Sequence, residues 1–210
     1  MLNLFKYIIA VLTFKSAYYN RQKEALQAPL GLMWGLSFDE IKKEIEVLSE
    51  SIIDDRTKVF AFTPKEKIFN FDKYELTVDD KYGLIEVKMV EYFNCDNFDI
   101  QGKGSYYDFN KILSKKYGPP ASVMEPESAF DDYSSYESRL DAMQNKDTDY
   151  FLKKEWSSFY SFEFGGWITV SLKNNSPDNN FLELIYSSLY TKKVIREQVD
   201  KEKEKMSELL

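Results

Sequence analysis

Carboxylates are the candidates for acid–base or metal chemistry in this chain. Its 210 residues include no histidine, which removes the usual general base at neutral pH and the commonest metal ligand. Cys95 is the single cysteine. Ser–His–Asp and Cys–His catalysis therefore cannot be assembled from this chain alone, a structural zinc site lacks donors, and no internal disulfide can form. Cys95 reads as a small buried hydrophobe. Asp54-Asp55, Asp79-Asp80 and Asp131-Asp132 are adjacent pairs, and neighbours in sequence point different ways on a strand or a helix. Asp147-x-Asp149 has a metal-like spacing but lacks the glycine and distal glutamate of a calcium loop. All of these read as solvated loop acids. The eight glycines form neither the dinucleotide-binding nor the phosphate-loop pattern. The nearest approach, Gly102-Lys103-Gly104, reads as a loop.

Acidity is instead concentrated in one place. Between Glu125 and Asp149 stand eight acids and two bases, a net −6 out of −7 for the whole chain. Phe130, Tyr133, Tyr136, Leu140 and Met143 recur at helical spacing, while Glu127, Asp131, Glu137 and Asp141 cluster on the other side with Asp132 on the flank. The pattern predicts an amphipathic helix inserted between two parts of a sheet. Two readings follow: a solvated helix face, or an anchor for a basic protein. On the second reading the contact residues are Asp131, Asp132, Tyr133, Tyr136, Glu137, Asp141, Asp147, Asp149 and Tyr150, with the tyrosines as desolvated contacts.

A hydrophobic content of 43% with 16% aromatics indicates an ordered globular domain. The net negative charge and the lack of a basic stripe argue against direct nucleic-acid binding. Residues 1–14 are almost wholly apolar, and the first thirty carry +3. They read as a helix docked on protein or as a basic, apolar helix at a membrane interface. The run is too short to span a bilayer, which needs about 20 apolar residues, and it has no A-x-A cleavage site.

The elements that would position these groups have a clear local grammar. Ser37 with Glu40 forms a capping box, and Leu36 with Ile41 a hydrophobic staple. Phe38, Ile41, Ile45 and Leu48 then supply the stripe of a helix of about three turns, with Trp34 as a core anchor at its start. Strands are expected over Lys58–Phe62, over Tyr74–Val78 with Tyr74, Leu76 and Val78 inward, and over Leu84–Phe93 with Ile85, Val87 and Met89 alternating with Glu86 and Lys88, the last two strands joined by the turn Asp79–Gly83. A helix over Ser105–Tyr117 buries Phe109, Ile112 and Leu113 and stops at Gly118-Pro119-Pro120. Further strands are expected over Phe159–Phe164 and over Trp167–Lys173 with Ile168, Val170 and Leu172 on one face, joined by a two-residue turn at Gly165-Gly166. A loop over Asn174–Asn180 leads to a last strand, Phe181–Ser187. Thr191–Leu210 forms a charged helix that lies along the body or pairs with a partner.

The string Trp34-Gly35-x-Ser37-x-Asp39-Glu40-Ile41, followed by three strands and a helix ending Lys116-Tyr117-Gly118-Pro119-Pro120, resembles uncharacterised bacterial and prophage domains that open with a Trp-Gly-x-Ser-x-x-Glu helix. Some of these are similar to the small BamE-type lipoprotein fold, in which a helix enters a three-stranded antiparallel sheet. The resemblance covers about Leu32 to Pro120, and the chain departs from that pattern in lacking a lipobox cysteine. It implies binding and assembly roles and no catalytic residue.

The expected class is α+β: about six antiparallel strands with helices packed on one face, plus N- and C-terminal helices. Residues 1–30 form the hydrophobic and basic helix. Residues 31–190 form a single domain with an acidic helical insertion over 121–150, and residues 191–210 the charged C-terminal helix. The expected function is a cytoplasmic, non-enzymatic protein-binding module, such as an inhibitor, an immunity or anti-defence factor, or an assembly adaptor. Its partner would be a protein with a basic surface, with no cofactor and no metal. Alternatives are a membrane-peripheral structural or assembly protein held by residues 1–14, and a carboxylate-only hydrolase. Because histidine is missing, the melting temperature is expected to be the same with zinc or with EDTA; a zinc-dependent shift of several degrees would reveal a carboxylate site.

Overall fold

The computed structural model describes residues 27–68, 71–94, 96, 100–124, 152–157, 166–176 and 179–208. Eight strands form one antiparallel sheet: β1 (Glu46–Ile52), β2 (Thr57–Thr63), β3 (Lys73–Asp79), β4 (Gly83–Asn94), β5 (Ser122–Met124), β6 (Leu152–Ser157), β7 (Trp167–Ser176) and β8 (Asn179–Ser187). Among the described residues three helices accompany them: α1 (Phe38–Glu44), α2 (Ile100–Tyr117) and α3 (Leu189–Glu208). The α+β class read from the sequence is the class observed, with eight strands in place of about six.

Strand order is β1-β2-β3-β4-β8-β7-β6-β5. This order has an internal logic. A helix followed by a four-stranded meander occurs twice, as α1 with β1–β4 and as α2 with β5–β8. The two meanders join through their last strands, β4 and β8, in a register running from Glu86↔Ser187 to Asn94↔Asn179. Among the described residues the first strand of each meander, β1 or β5, is consequently a free edge.

Alternation of side chains puts Phe60, Phe62, Tyr74, Leu76 and Val78 on one face with Val87, Met89, Leu182, Leu184, Ile168, Val170 and Leu172. Ile41 of α1 and Tyr106, Phe109 and Leu113 of α2 bury themselves in this same cluster. Tyr74, Leu76 and Val78 alternate inward as the sequence predicts. In β4, Val87 and Met89 do so too, but an irregularity in pairing between Thr77 and Val78 makes Leu84 the core residue and leaves Ile85 buried outside the core cluster.

Several sequence expectations are corrected. The helix starting at Phe38 has seven residues, not three turns. Ile45 turns to φ −132°, ψ 155°, and Leu48 is 63% exposed in β1. The β-branched and serine residues after Glu46 favour extended backbone, and their packing decides where periodicity is ambiguous. Gly102 and Gly104 lie in α2, not in a loop. Asp96 satisfies two amides at the start of that helix, accepting from the backbone N–H of Gln101 (3.3 Å) and Gly102 (2.9 Å). A Cβ on Gly102 would come 2.8 Å from Leu172 Cδ1, so the glycine lets α2 approach β7. Ile112 is 43% exposed, and Tyr106 fills the core place expected of it. The expected strand at 159–164 lies outside the described residues. Trp167 pairs with Ser157 of β6, and Gly165 of the expected turn also lies outside the described residues. The expected loop Asn174–Asn180 is mostly ladder, with Asn174 opposite Asn180 and Ser176 opposite Asn179.

The start of α1 agrees with the sequence. Ser37 donates from its backbone N–H (2.8 Å) and its hydroxyl (2.6 Å) to Glu40 Oε2. Trp34 is half-buried against the core. The segment is stitched to β4, with Gly35 N–H donating to Leu84 O (3.0 Å) and Leu84 N–H to Leu36 O (2.8 Å). Gly83 faces Gly35 at φ +67°, where a Cβ would sit 2.2 Å from Gly35 O. That gap cannot open without moving backbone. Gly83→Ala is expected to lower stability by on the order of 3 kcal/mol, the range of overpacked and strained positions, measured by chemical denaturation. A change below about 0.5 kcal/mol, typical of a neutral surface site, would show that the two backbones can separate.

Candidate functional site

The acidic and aromatic residues singled out in the sequence, Asp131, Asp132, Tyr133, Tyr136, Glu137, Asp141, Asp147, Asp149 and Tyr150, lie outside the described residues, as do residues 1–14. The structure does describe where that segment is attached. Met124 ends β5, Leu152 begins β6, and the two strands pair antiparallel with Met124 opposite Lys153. Residues 125–151 thus connect two adjacent strands at a free edge of the sheet. In the duplicated layout, this connection stands where the first meander has only the short turn Ile53–Arg56 between β1 and β2.

The densest polar cluster among the described residues sits at the turn end of the first meander. Arg56 Nη2 donates to both oxygens of Asp79, at 2.9 and 2.8 Å. Asp79 is 1% exposed, so the reading of this acid as a solvated loop carboxylate is wrong. The same carboxylate accepts from the backbone N–H of Lys81 (2.9 Å) and Tyr82 (3.0 Å), which fixes the β3–β4 turn. Arg56 Nη1 reaches Glu197 Oε2 of α3 at 2.8 Å. Glu197 Oε1 accepts from Lys81 Nζ (2.8 Å) and from the Tyr82 hydroxyl (2.7 Å). One residue on, Gln198 Nε2 donates to Asp54, whose other oxygen accepts from the backbone N–H of Arg56 and Thr57. The C-terminal helix therefore clamps the β1–β2 and β3–β4 turns together.

These contacts perturb the groups in the expected directions. Hydrogen bonds from Lys81, Arg56 and Tyr82 hold Glu197 down to about 2. Bonds to Asp79 and Glu197 raise Arg56 above its already high value. Elsewhere, burial raises Glu86, against the pull of Ser187, and raises Glu91, against that of Ser105.

Beside the clamp is an open cleft of about 610 Å³ walled by Trp34, Phe38, Tyr82 and Tyr190, with Asp39 and Asp80 exposed at its rim. Tyr82 and Tyr190 stack at 5.1 Å and 16°, and Lys81 Nζ lies 4.8 Å from the Tyr82 ring centre. The arrangement offers hydrogen-bonding and cation–π contacts. Among the described residues, no group of three or more His, Cys, Asp or Glu is placed to hold a metal ion, and no helix is long and apolar enough to cross a membrane. Sequence reasoning recognised the Asp79–Gly83 turn but not Arg56 or Glu197, since nothing local marks a contact spanning 141 positions.

Comparison of the chain with protein-family models, curated proteins and solved structures finds no match.

The clamp has a definite pH signature. Glu197 is depressed from 4.5 to about 2. Its contribution to stability is therefore complete above about 4.5 and is lost as pH falls from there through about 2. Acid titration should release α3 in that window, read as loss of helical circular dichroism and faster amide exchange over residues 189–198. Glu197→Gln should remove that step. A variant with the unchanged acid profile of the parent would show that other carboxylates govern the helix.

Proposed function

We propose that the chain is a non-enzymatic protein-binding module whose partner presents a basic surface, engaged by the acidic and aromatic residues between β5 and β6. The observation that supports this most directly is the attachment of that segment. Both its ends are held side by side at the sheet edge by the β5–β6 pairing, at the place where the first meander makes a short turn. A connection of such length is uncommon in a compact fold, and binding loops are one of the forms it takes. It also carries nearly all the net charge of the chain, so its field is the chain's chief means of steering a partner. An inhibitor, immunity, anti-defence or assembly role in the cytoplasm is compatible with such a module.

The test reverses charge without touching the body. Asp131, Glu137 and Asp141 all become lysine, and association with the basic partner recovered by low-salt capture from the native host is followed by stopped flow. Association should slow by an order of magnitude or more at low ionic strength and much less at high salt, with thermal unfolding unchanged. Equal association rates at low salt would leave the strip as solvated surface only. Capture that depends on membranes and on residues 1–14 would favour the membrane-peripheral alternative.

A further inference from the structure

Among the described residues the sheet has two free edges, and they differ. β5 has three residues and leads into the acidic connection. β1 has seven residues, and six of them are exposed. Among the described residues no strand pairs with its outer side. An open strand edge presents a row of backbone donors and acceptors ready to pair with another extended chain.

Side chains on and just beyond this edge point to the kind of chain that would fit. Leu48, Ile52 and Ile53 are 63%, 72% and 60% exposed, a density of bare aliphatic surface that solvent alone does not favour. From Glu44 to Asp55 there are five acids and no base. Glu50 is bridged to Lys58 (2.9 Å) and Lys42 (3.7 Å), and Glu44 to Lys65 (3.7 Å). Glu46 and Asp55 have no cationic partner among the described residues, and Asp54 is held by backbone N–H groups and Gln198 rather than by a cation. A second copy of β1 would bring more acids and no base to this edge, a net repulsion that disfavours self-pairing.

We propose that the outer edge of β1 takes up an extended segment of a partner protein in which lysine or arginine alternates with aliphatic residues, adding a ninth strand to the sheet. Backbone pairing supplies the affinity. Leu48 and Ile52 cover the aliphatic positions, and Glu46 and Asp55 meet the cations. The proposal rests on the reading of the chain as a binder of basic protein and adds where and in what conformation the partner docks. Seven strand spacings, about 34 Å, separate this edge from β5, so the two surfaces can be probed independently.

The probe is a capped, fluorescent seven-residue peptide alternating lysine and valine. Controls are its glutamate–valine counterpart and a fully N-methylated version that keeps the charge but cannot donate backbone hydrogen bonds. The lysine–valine peptide should bind and slow amide exchange over residues 46–52, and both controls should bind at least tenfold more weakly. The double variant Leu48→Lys/Ile52→Lys changes only exposed side chains. Its melting temperature should match the parent's, while peptide affinity falls tenfold or more. Absence of protection at 46–52, equal binding by the N-methylated peptide, or full affinity in that variant would overturn strand addition. So would a concentration-dependent dimer, by sedimentation, that is abolished in the same variant. If the peptide binds without protecting β1 and is released by reversing Asp131, Glu137 and Asp141, strand addition fails while the acidic-connection reading stands. If β1 is protected and that reversal has no effect on the partner, the acidic-connection reading fails alone.

Discussion

A carboxylate shut away from water must find its hydrogen bonds in the protein, and Asp79 at 1% exposure sets that requirement at the end of β3. Left unpaired there, it would cost several kcal/mol, more than most single contacts return. The structure meets the requirement completely. Two backbone amides of the following turn and both fingers of one Arg56 amine occupy its oxygens. Much of the neighbourhood follows from this. The turn adopts the one path that aims the Lys81 and Tyr82 amides at Asp79, so Gly83 must follow with positive φ, and its missing side chain admits Gly35. Arg56, held at one end by Asp79, has its other amine left for a second carboxylate, and Glu197 supplies it. Lys81 then balances Glu197. Charge alternates along the chain of contacts, so each group lowers the cost of the next, and the position of α3 is tied to a constraint that begins in β3.

The duplicated helix-plus-meander layout explains where the clamp and the edges fall. Joining two meanders through β4 and β8 buries the last strands and leaves both first strands outside. α3 follows β8 directly, with Ser188 N–H donating to Ile85 O (2.8 Å) and the Thr191 hydroxyl to the same oxygen (2.8 Å). From that anchorage in β4 the helix passes Tyr82 and reaches the β1–β2 turn at Gln198. The two turns it clamps, Ile53–Arg56 and Asp80–Tyr82, are both short. The second half spends the equivalent position on the long acidic connection.

What the sequence made legible was local. The Ser37–Glu40 box, the Tyr74-Leu76-Val78 alternation, Gly118 at φ +88° after α2 and the Ile168-Val170-Leu172 face each rest on contacts within a few residues. β1 was misread because Phe38, Ile41, Ile45 and Leu48 satisfy a helical period, while only tertiary pairing with β2 makes residues 46–52 extended. β6 was missed because Leu-Lys-Lys-Glu-Trp-Ser has two buried residues, Leu152 and Trp156, separated by charges that mask the alternation. The clamp was invisible because Arg56, Asp79 and Glu197 belong to three separate elements. The acidic strip, by contrast, was conspicuous through composition alone, and the paired strands on either side of it show where it is attached.

The two edges also show different ways of limiting unwanted association. Edge strands are commonly blunted by shortness, by charge or by a bulge. β5 relies on shortness, with three residues. β1 has an irregularity between Val47 and Ser49 and a charge at Glu50, but that charge is already bridged by Lys42 and Lys58. Its remaining defence is the acid at Glu46 and Asp55, uncompensated among the described residues, which repels an identical or acidic strand and admits a basic one. A device that discriminates by charge while leaving the backbone and three aliphatic side chains open acts as a selective edge rather than a closed one.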